Sequence, residues 1–294
     1  MDVGAKLKEW LSFFTEPTAK RLMLIANIGG VGYYWVVSLL VFYVNLFVII
    51  PSILSENLGW MRFQWWFFVV AYFNMMLNYL ICLSKKSRYT STEGIVTEEA
   101  SSKGWGYCVP CQQYSPPRTH HCSVCKHCIL KRDQHCFFLG ACIGHFNQRY
   151  FLVFLFYASI SALHAAVCFF TYLNQYFATF LSLDFYCYFF PIATTKWVLG
   201  YTPSHLFGIL ALFYMCLMLG FGCIGFFTFH FQRALHCQTS YEFSHRVTTY
   251  SRGPQRNLQE IFGSYWWLAF LVPIPQKQTS DGIVWNKPKE LKGY

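Results

Sequence analysis

The sequence predicts an all-α polytopic membrane protein with four transmembrane helices and a cytosolic cysteine-rich domain between the second and third. Composition is the first reason, because 55% of the 294 residues are hydrophobic and only 12% are charged, too few to cover a water-facing surface. The same apolar content excludes a disordered chain. Four stretches without Asp, Glu, Lys or Arg are long enough for a helix to cross a bilayer. They are Leu22–Ile50, Phe63–Leu83, Tyr150–Leu183 and Leu206–Phe231.

The first stretch is too long, and starts too late, for a cleaved signal peptide, so we interpret it as a signal anchor. Helices buried in a soluble core are the alternative, which four such stretches disfavour. The basic residues then orient the spans. All but two of the 23 Lys and Arg residues, Arg62 and Lys196, lie in the N-terminal segment, in the stretch 84–149 or after Phe231. Since cytoplasmic loops carry the excess of Lys and Arg, both termini and the stretch 84–149 are predicted to be cytosolic.

The net charge of +10 favours membrane lipid headgroups or an acidic ligand over nucleic acid. We expect four regions along the chain. They are residues 1–83 with the first two helices, the cysteine-rich domain 84–149, the third and fourth helices in 150–231, and a cytosolic tail, 232–294.

Seven of the 13 cysteines lie between residues 108 and 142. A disulfide framework is disfavoured in the reducing cytosol, so metal binding or catalysis is expected. Repeated C-x2-C turns with nearby His are typical of tetrahedral zinc sites, and two Cys₃His sites would leave one cysteine over. If the sites are interleaved, the first is Cys108, Cys111, His121 and Cys128, and the second is Cys122, Cys125, His135 and Cys142.

Cys136 is then the spare thiol, next to His135 and shortly after Lys131 and Arg132. A positive environment lowers the pKa of a thiol. A free thiol on a rigid metal frame at the membrane surface is predicted to be a nucleophile. The alternative is that Cys136 is itself a ligand and another cysteine is spare.

Residues 108–151 resemble the cysteine-rich domain of the DHHC-type protein S-acyltransferases. The matching positions are the eight candidate ligands together with Asp133, Cys136, Asn147 and Phe151. Thr239-Ser240-Tyr241-Glu242 resembles the T-T-x-E element that follows the fourth span in that family. Tyr250, Gly253, Asn257 and Gly263 resemble its C-terminal Asn/Gly element.

The resemblance implies that Cys136 attacks the thioester of a fatty acyl-coenzyme A, its co-substrate, and becomes an acyl-enzyme. The acyl group would pass to a juxtamembrane cysteine of a cytosolic or membrane protein. Two structural Zn²⁺ ions and a location in the endomembrane system, Golgi or endoplasmic reticulum, are also implied. The candidate partners for the coenzyme's phosphates are Arg118, Lys126, Lys131, Arg132 and Arg149.

The motif that names the family departs from its pattern here, because it reads Asp133-Gln134-His135-Cys136. The resemblance makes the first His the base that takes the thiol proton, oriented by the Asp, and Gln134 occupies that position. A carboxamide cannot take a proton at neutral pH. Losing a general base costs about 10²–10⁴ in rate. We therefore expect slow rather than abolished autoacylation, and a faster Gln134→His variant.

A substitute base from His120, His127 or His145 is one alternative. Another is a catalytically impaired relative that acts as a membrane scaffold, which Gln134 favours. Retention of Asp133 and Cys136 favours the enzyme, since a scaffold needs zinc ligands but no spare thiol. A channel or transporter is disfavoured because none of the four stretches contains Asp, Glu, Lys or Arg.

Overall fold

Four helices dominate the computed structural model, which describes residues 17–90, 100, 102–271 and 280–285. Each is long and apolar enough to cross a membrane. The first span combines α1 (Pro17–Tyr43), a π-helical segment (Val44–Ile49) and α2 (Ile50–Ile53), and the second is α3 (Leu58–Ser84). The third is α4 (Gln148–Tyr176), which a 3-10 helix (Leu183–Tyr188) and α5 (Phe190–Val198) connect to the fourth, α6 (Ser204–Leu235). The predicted class is confirmed, with the cysteine-rich region between the second and third spans.

The outer ends of the first and last expected regions, residues 1–16 and 286–294, lie outside the described residues. So do residues 91–99, 101 and 272–279.

The third span ends earlier than its charge-free stretch. The stretch runs to Leu183, but α4 ends at Tyr176, and the backbone N–H of Phe177 still donates to the carbonyl of Leu173 at 2.8 Å. The residues that follow are apolar yet lie on the surface, with Leu181 93% and Leu183 94% exposed. A search for charges cannot find a helix end when the next loop is also uncharged.

α4 lies between α3 and α6 and packs against both. Gly220 allows the close approach to α6, because a Cβ there would lie 2.6 Å from Cδ2 of Leu163. Small residues at such contacts are usual between helices in membranes. α6 also continues past the predicted end of its span, and His230 and Arg233 in its last turns are buried. This extension reaches the cysteine-rich region.

The described residues of the cysteine-rich region contain seven short strands. They are β1 (Arg88–Tyr89), β2 (Gly106–Cys108), β3 (Gln113–Ser115), β4 (His120–Cys122), β5 (His127–Ile129), β6 (Gln134–Cys136) and β7 (Ala141–Ile143). β5 lies between β1 and β4 in one antiparallel sheet, and β2–β3 and β6–β7 form two hairpins. The pairing sets His121 opposite Cys128 and His135 opposite Cys142. Each of these pairings therefore brings two candidate ligands of the same set face to face.

The tail folds back onto the molecule through α7 (Ser240–Ser244), α8 (Pro254–Phe262) and a 3-10 helix (Trp266–Phe270). Asn257 is fully buried, and its side chain donates to the carbonyl of Leu235 at 2.7 Å. This bond fastens α8 to the end of α6. The ring of Phe270 packs 5.3 Å from both Phe156 and Phe262, so the last helix lies against α4 and α8.

Candidate active site and metal centres

Two groups of four side chains converge in the cysteine-rich region. The ligand atoms of each group lie within 4.8 Å of one another. The first group is Cys108, Cys111, His121 and Cys128, and the second is Cys122, Cys125, His135 and Cys142. The structure thus brings together the same two interleaved sets that the sequence predicts.

The spacing within these groups fits a tetrahedral metal ion. With Zn–S near 2.3 Å and Zn–N near 2.0 Å, ligand atoms on one zinc stand roughly 3.5–3.8 Å apart. In the second group, Nδ1 of His135 lies 3.3 Å from Sγ of Cys125 and 3.6 Å from Sγ of Cys142, and the two sulfurs are 3.6 Å apart. In the first, Sγ of Cys111 lies 3.2 Å from Nδ1 of His121. Three soft thiolates and one imidazole are a donor set that suits Zn²⁺.

The second ring nitrogen of His135 has its own partner. Nε2 lies 3.1 Å from Oδ1 of Asn27 on the first span. A carboxamide oxygen accepts a hydrogen bond, so it holds a proton on Nε2 and leaves Nδ1 for the metal. Both ring nitrogens of His135 therefore have partners, and neither is free to take the proton of the Cys136 thiol.

Cys136 belongs to neither group of ligands. It lines a cavity of about 490 Å³ that runs between all four spanning helices. Gln134, Phe137 and Phe138 line the same end, and the remaining wall is almost entirely apolar. Representative wall residues, one from each span in order, are Tyr33, Tyr72, Phe154 and Leu219. A single thiol thus meets an apolar chamber at the boundary between the spans and the cysteine-rich region.

Burial raises the pKa of the Cys136 thiol, and backbone hydrogen bonds from Leu139 and Phe138 oppose this effect. The lowered pKa expected from Lys131 and Arg132 is wrong. Nζ of Lys131 points away, lying 3.9 Å from Glu260 and 5.6 Å from the ring centre of Trp285. The thiol therefore needs another group to take its proton.

Asp133 is buried and makes two strong hydrogen bonds. Its Oδ2 lies 2.9 Å from Nδ1 of His230, and its Oδ1 accepts from the backbone N–H of Ser240 at 2.7 Å. Burial by itself raises the pKa of the Asp133 carboxyl, but the hydrogen bonds from His230 and Ser240 outweigh it and hold the pKa below its usual range. Asp133 thus joins α6 and α7 to the strand carrying Cys136.

The Thr239–Glu242 element holds Ser240 in place. Oγ1 of Thr239 accepts from the backbone N–H of Glu242 at 3.2 Å, and Oε2 of Glu242 accepts from the backbone N–H of Thr239 at 2.8 Å. This reciprocal pair is a capping box, which satisfies backbone donors at the start of α7. The element therefore presents the Ser240 N–H to Asp133.

The five candidate phosphate contacts fall into two groups. Arg118 and Lys131 are buried and have acidic partners inside the chain, Glu242 and Glu260, so they present no free face to a phosphate. Lys126 is exposed and Arg132 is half-buried. Arg149 is buried, with its guanidinium 5.2 Å from the ring centre of Tyr150.

The three histidines proposed as substitute bases have other surroundings. The ring of His120 lies 4.6 Å from that of Tyr241, and Nε2 of His145 lies 3.0 Å from the carbonyl of Ser280. Burial lowers the pKa of His145 to about 4. Among the described residues that line the cavity of Cys136, none is His120, His127, His145 or His230. His230, which meets Asp133, is absent from the sequence-based candidates because it lies inside a stretch assigned to the membrane.

Gly30 on the first span touches the loop that follows Cys136. A Cβ at this position would lie 2.7 Å from the carbonyl oxygen of Phe137. We expect Gly30→Ala to push this loop aside and slow acyl-enzyme formation about 10- to 100-fold, since a shift of about 1 Å in a reacting group has effects of this size. The measurement is the rate of labelling by a fatty acyl-coenzyme A. Gly29→Ala is the matched control, because it makes the same helix-favouring change with no atom within 4 Å. Equal rates for the two variants would contradict the assigned contact.

Comparisons with known proteins agree with this geometry. The family model for the DHHC palmitoyltransferase domain matches residues 101–247. The probable palmitoyltransferase ZDHHC24 of Rattus norvegicus is 32% identical over 193 residues, which cover 64% of this chain and 66% of that protein. Palmitoyltransferase ZDHHC22 of Mus musculus is 26% identical over 261 residues, 85% of this chain and 93% of that protein. ZDHHC22 of Danio rerio is 36% identical over 165 residues, 55% of this chain and 60% of that protein.

The domain match spans half of the chain and includes both ligand groups, Asp133, Cys136 and the Thr239–Glu242 element. The chain belongs to the DHHC palmitoyltransferase family.

Proposed function

We propose that this chain is a protein S-acyltransferase that carries its acyl intermediate on Cys136. One observation carries the proposal above all. In the described cysteine-rich region, Cys136 is the cysteine outside both ligand groups, and it faces an apolar cavity between the spanning helices. The family relatives named as palmitoyltransferases support the same activity.

The cavity suits the fatty chain of an acyl-coenzyme A. Each methylene that leaves water contributes about 0.8 kcal/mol, so a long chain has a strong preference for this chamber. With the chain inside, the thioester lies at the level of Cys136 and the coenzyme remains on the side of the cysteine-rich region. We assign Lys126, Arg132 and Arg149 to its phosphates, and we assign Arg118 and Lys131 to the buried ion pairs with Glu242 and Glu260.

The reaction has two transfers. The sulfur of Cys136 attacks the thioester carbonyl carbon, the bond to the coenzyme sulfur breaks, and the thiol proton ends on the released coenzyme. A cysteine thiolate of the protein substrate then attacks the acyl-enzyme in the same way, and Cys136 regains a proton. Asp133, Gln134 and Cys136 are the residues we assign to this centre.

Zn²⁺ is the metal we propose for both ligand groups, with a structural role. Bound there, two ions would fix the β4–β5 and β6–β7 hairpins, and so the position of Cys136 relative to the cavity. The regions 1–83, 84–149, 150–231 and 232–294 remain our proposed division of the chain.

The distribution of Lys and Arg supports a cytosolic cysteine-rich region with both termini on the same side. We propose the Golgi or the endoplasmic reticulum as the location. The substrates we propose are cytosolic or membrane proteins with a cysteine close to the membrane, because the acyl-enzyme lies at that depth.

Gln134 is the one observation that favours a second function, a catalytically impaired scaffold that recruits client proteins. Incubating the purified full-length protein with labelled palmitoyl-coenzyme A separates the two. We expect hydroxylamine-sensitive label on the wild type and none on Cys136→Ser. An unlabelled wild type that retains its metal would support the scaffold, and label on both proteins would place the acyl group on another residue.

A further inference from the structure

A buried histidine from the end of the fourth span meets the acidic residue of the catalytic motif. His230 is 1% exposed, and its Nδ1 lies 2.9 Å from Oδ2 of Asp133. The other oxygen of Asp133 is occupied by the backbone N–H of Ser240. With one carboxylate oxygen already accepting from Ser240 and the other 2.9 Å from the ring, we assign the hydrogen of this contact to Nδ1 of His230. In the neutral ring, Nε2 is then the nitrogen with a free lone pair.

This second nitrogen has no hydrogen-bond partner among the described residues, although it is fully buried. A buried polar atom without a partner is uncommon and costs free energy, so such an atom calls for an explanation. Two other histidines differ, because Nε2 of the half-buried His164 lies 2.8 Å from Oε1 of Gln64 and Nε2 of the buried His145 lies 3.0 Å from the carbonyl of Ser280. His230 is thus held through one nitrogen, while the other is buried without a hydrogen-bond partner among the described residues.

The ring stands directly behind the wall of the catalytic cavity. It meets Phe151 edge-on with ring centres 5.4 Å apart and lies parallel to Phe226 at 6.3 Å. Phe151 and Phe226 both line the cavity that contains Cys136 and Gln134. Asp133, the partner of the ring, is three residues before Cys136 and next to β6. The imidazole therefore lies at the same end of the cavity as the thiol.

We propose that His230 supplies the imidazole that the catalytic motif lacks at position 134, with Asp133 orienting the ring and Nε2 taking the proton of the Cys136 thiol. The inference rests on the proposed acyltransferase function. A nucleophile, a base and an acid that orients the base form the arrangement by which enzymes activate weak nucleophiles. The acid here is the motif's own Asp133, and the base comes from a different part of the chain.

Each acyl transfer moves one proton and exchanges one thioester bond for another. The proton moves from Sγ of Cys136 to Nε2 of His230, directly or through one water molecule. The thiolate attacks the thioester carbonyl, the bond to the coenzyme sulfur breaks, and His230 returns its proton to the leaving thiolate. In the second transfer the same nitrogen takes the proton of the substrate cysteine and gives it to Cys136.

This proposal reverses the expectation that the sequence gives for Gln134. If no base were present, Gln134→His would speed the reaction strongly. If His230 already acts as the base, Gln134→His should change the rate of acyl-enzyme formation less than about threefold. A second base adds little when the first already removes the proton of the Cys136 thiol.

The test is single-turnover acylation of the full-length protein by labelled palmitoyl-coenzyme A. His230→Asn keeps an amide N–H for Asp133 but removes the second nitrogen, and we expect acyl-enzyme formation to slow by about 10²–10³. The half-saturating concentration of palmitoyl-coenzyme A and the metal content should stay unchanged. Adding Gln134→His to His230→Asn should recover the rate to within about tenfold of the wild type, a rescue that a purely structural role of His230 would not show. His164→Asn, at a half-buried histidine whose Nε2 contacts Gln64, is the control and should keep the wild-type rate.

A His230→Asn protein that acylates Cys136 within threefold of the wild type would overturn the proposal while leaving the acyltransferase function intact. Failure of the double variant to recover would also overturn it. If His230→Asn does not fold, the single variant Gln134→His tests the proposal. If it forms the acyl-enzyme more than tenfold faster than the wild type, the wild type has no base in place and the proposal is overturned. Absence of label on Cys136 in the wild type would instead reject the proposed function itself.

Discussion

Glu242→Gln is expected to lower the melting temperature of the purified protein by about 10 °C. Nε of Arg118 lies 2.7 Å from Oε1 of Glu242, and a second guanidinium nitrogen lies 2.8 Å from Oε2. The side chains of this pair are 1% and 6% exposed. Removing one partner of a buried ion pair leaves the other charge uncompensated and costs roughly 3–5 kcal/mol. For a domain of this size such a loss corresponds to a shift of about 10 °C.

Glu242→Gln removes the negative charge of this side chain and keeps an oxygen that can accept a hydrogen bond. Glutamine can still accept from the backbone N–H of Thr239, so the capping box at the start of α7 survives. The guanidinium of Arg118 would remain between the rings of Tyr250 and Trp285, 4.4 and 4.3 Å from their centres, without its counter-charge. Because α7 presents the Ser240 N–H to Asp133, we also expect slower acylation of Cys136.

Glu56→Gln is the matched control, since Glu56 is exposed in the loop between the first two spans. Its melting temperature should stay within about 1 °C of the wild type, as is usual for surface substitutions. If Glu242→Gln and Glu56→Gln have the same melting temperature, the Arg118–Glu242 pair does not stabilise the attachment of the tail.

The second large effect concerns the metal centres. Cys128→Ser should remove one of two Zn²⁺ ions per chain, abolish acylation and leave little folded protein. The strands around Cys128 are two or three residues long, and few apolar side chains are buried beside them. Structural zinc sites contribute about 10–16 kcal/mol of binding free energy, so a region of this kind depends on its metal.

Zinc content by atomic spectroscopy and the melting temperature test this expectation together. Cys168→Ser is the control, because Cys168 is buried in α4 outside both ligand groups. It should retain both ions and melt like the wild type. Two ions in Cys128→Ser would show that the first ligand group is assigned incorrectly.

The metal ligands could be predicted from sequence because they lie close together along the chain. Cysteines two residues apart, with histidines at matching distances, leave few ways to form two tetrahedral sites. The structure groups the eight side chains in the same interleaved sets. The spans were predictable for a similar reason, since each is one continuous apolar stretch of the chain.

The partner of Asp133 could not be predicted in this way. His230 lies 97 positions away, in the last turns of a helix that the lack of charge assigns to the membrane. Only the packing of α6 against the cysteine-rich region brings the two side chains together. One signal was present, because a histidine within an apolar helix needs a polar partner.

The acidic partners of Arg118 and Lys131 could not be predicted for a related reason. From sequence, a basic residue beside a site for an acidic ligand looks available to that ligand. In the fold, Glu242 and Glu260 of the tail reach these two cations. Sequence position shows which charges are present but not which of them neutralise one another.

The central claim is that Cys136 is the thiol that the metal centres leave over. The most direct test is the zinc content of purified Cys136→Ser beside the wild type. We predict two zinc ions per chain in both proteins, with the acyl label lost only from the variant. A variant that binds fewer zinc ions than the wild type would make Cys136 a ligand and contradict the account.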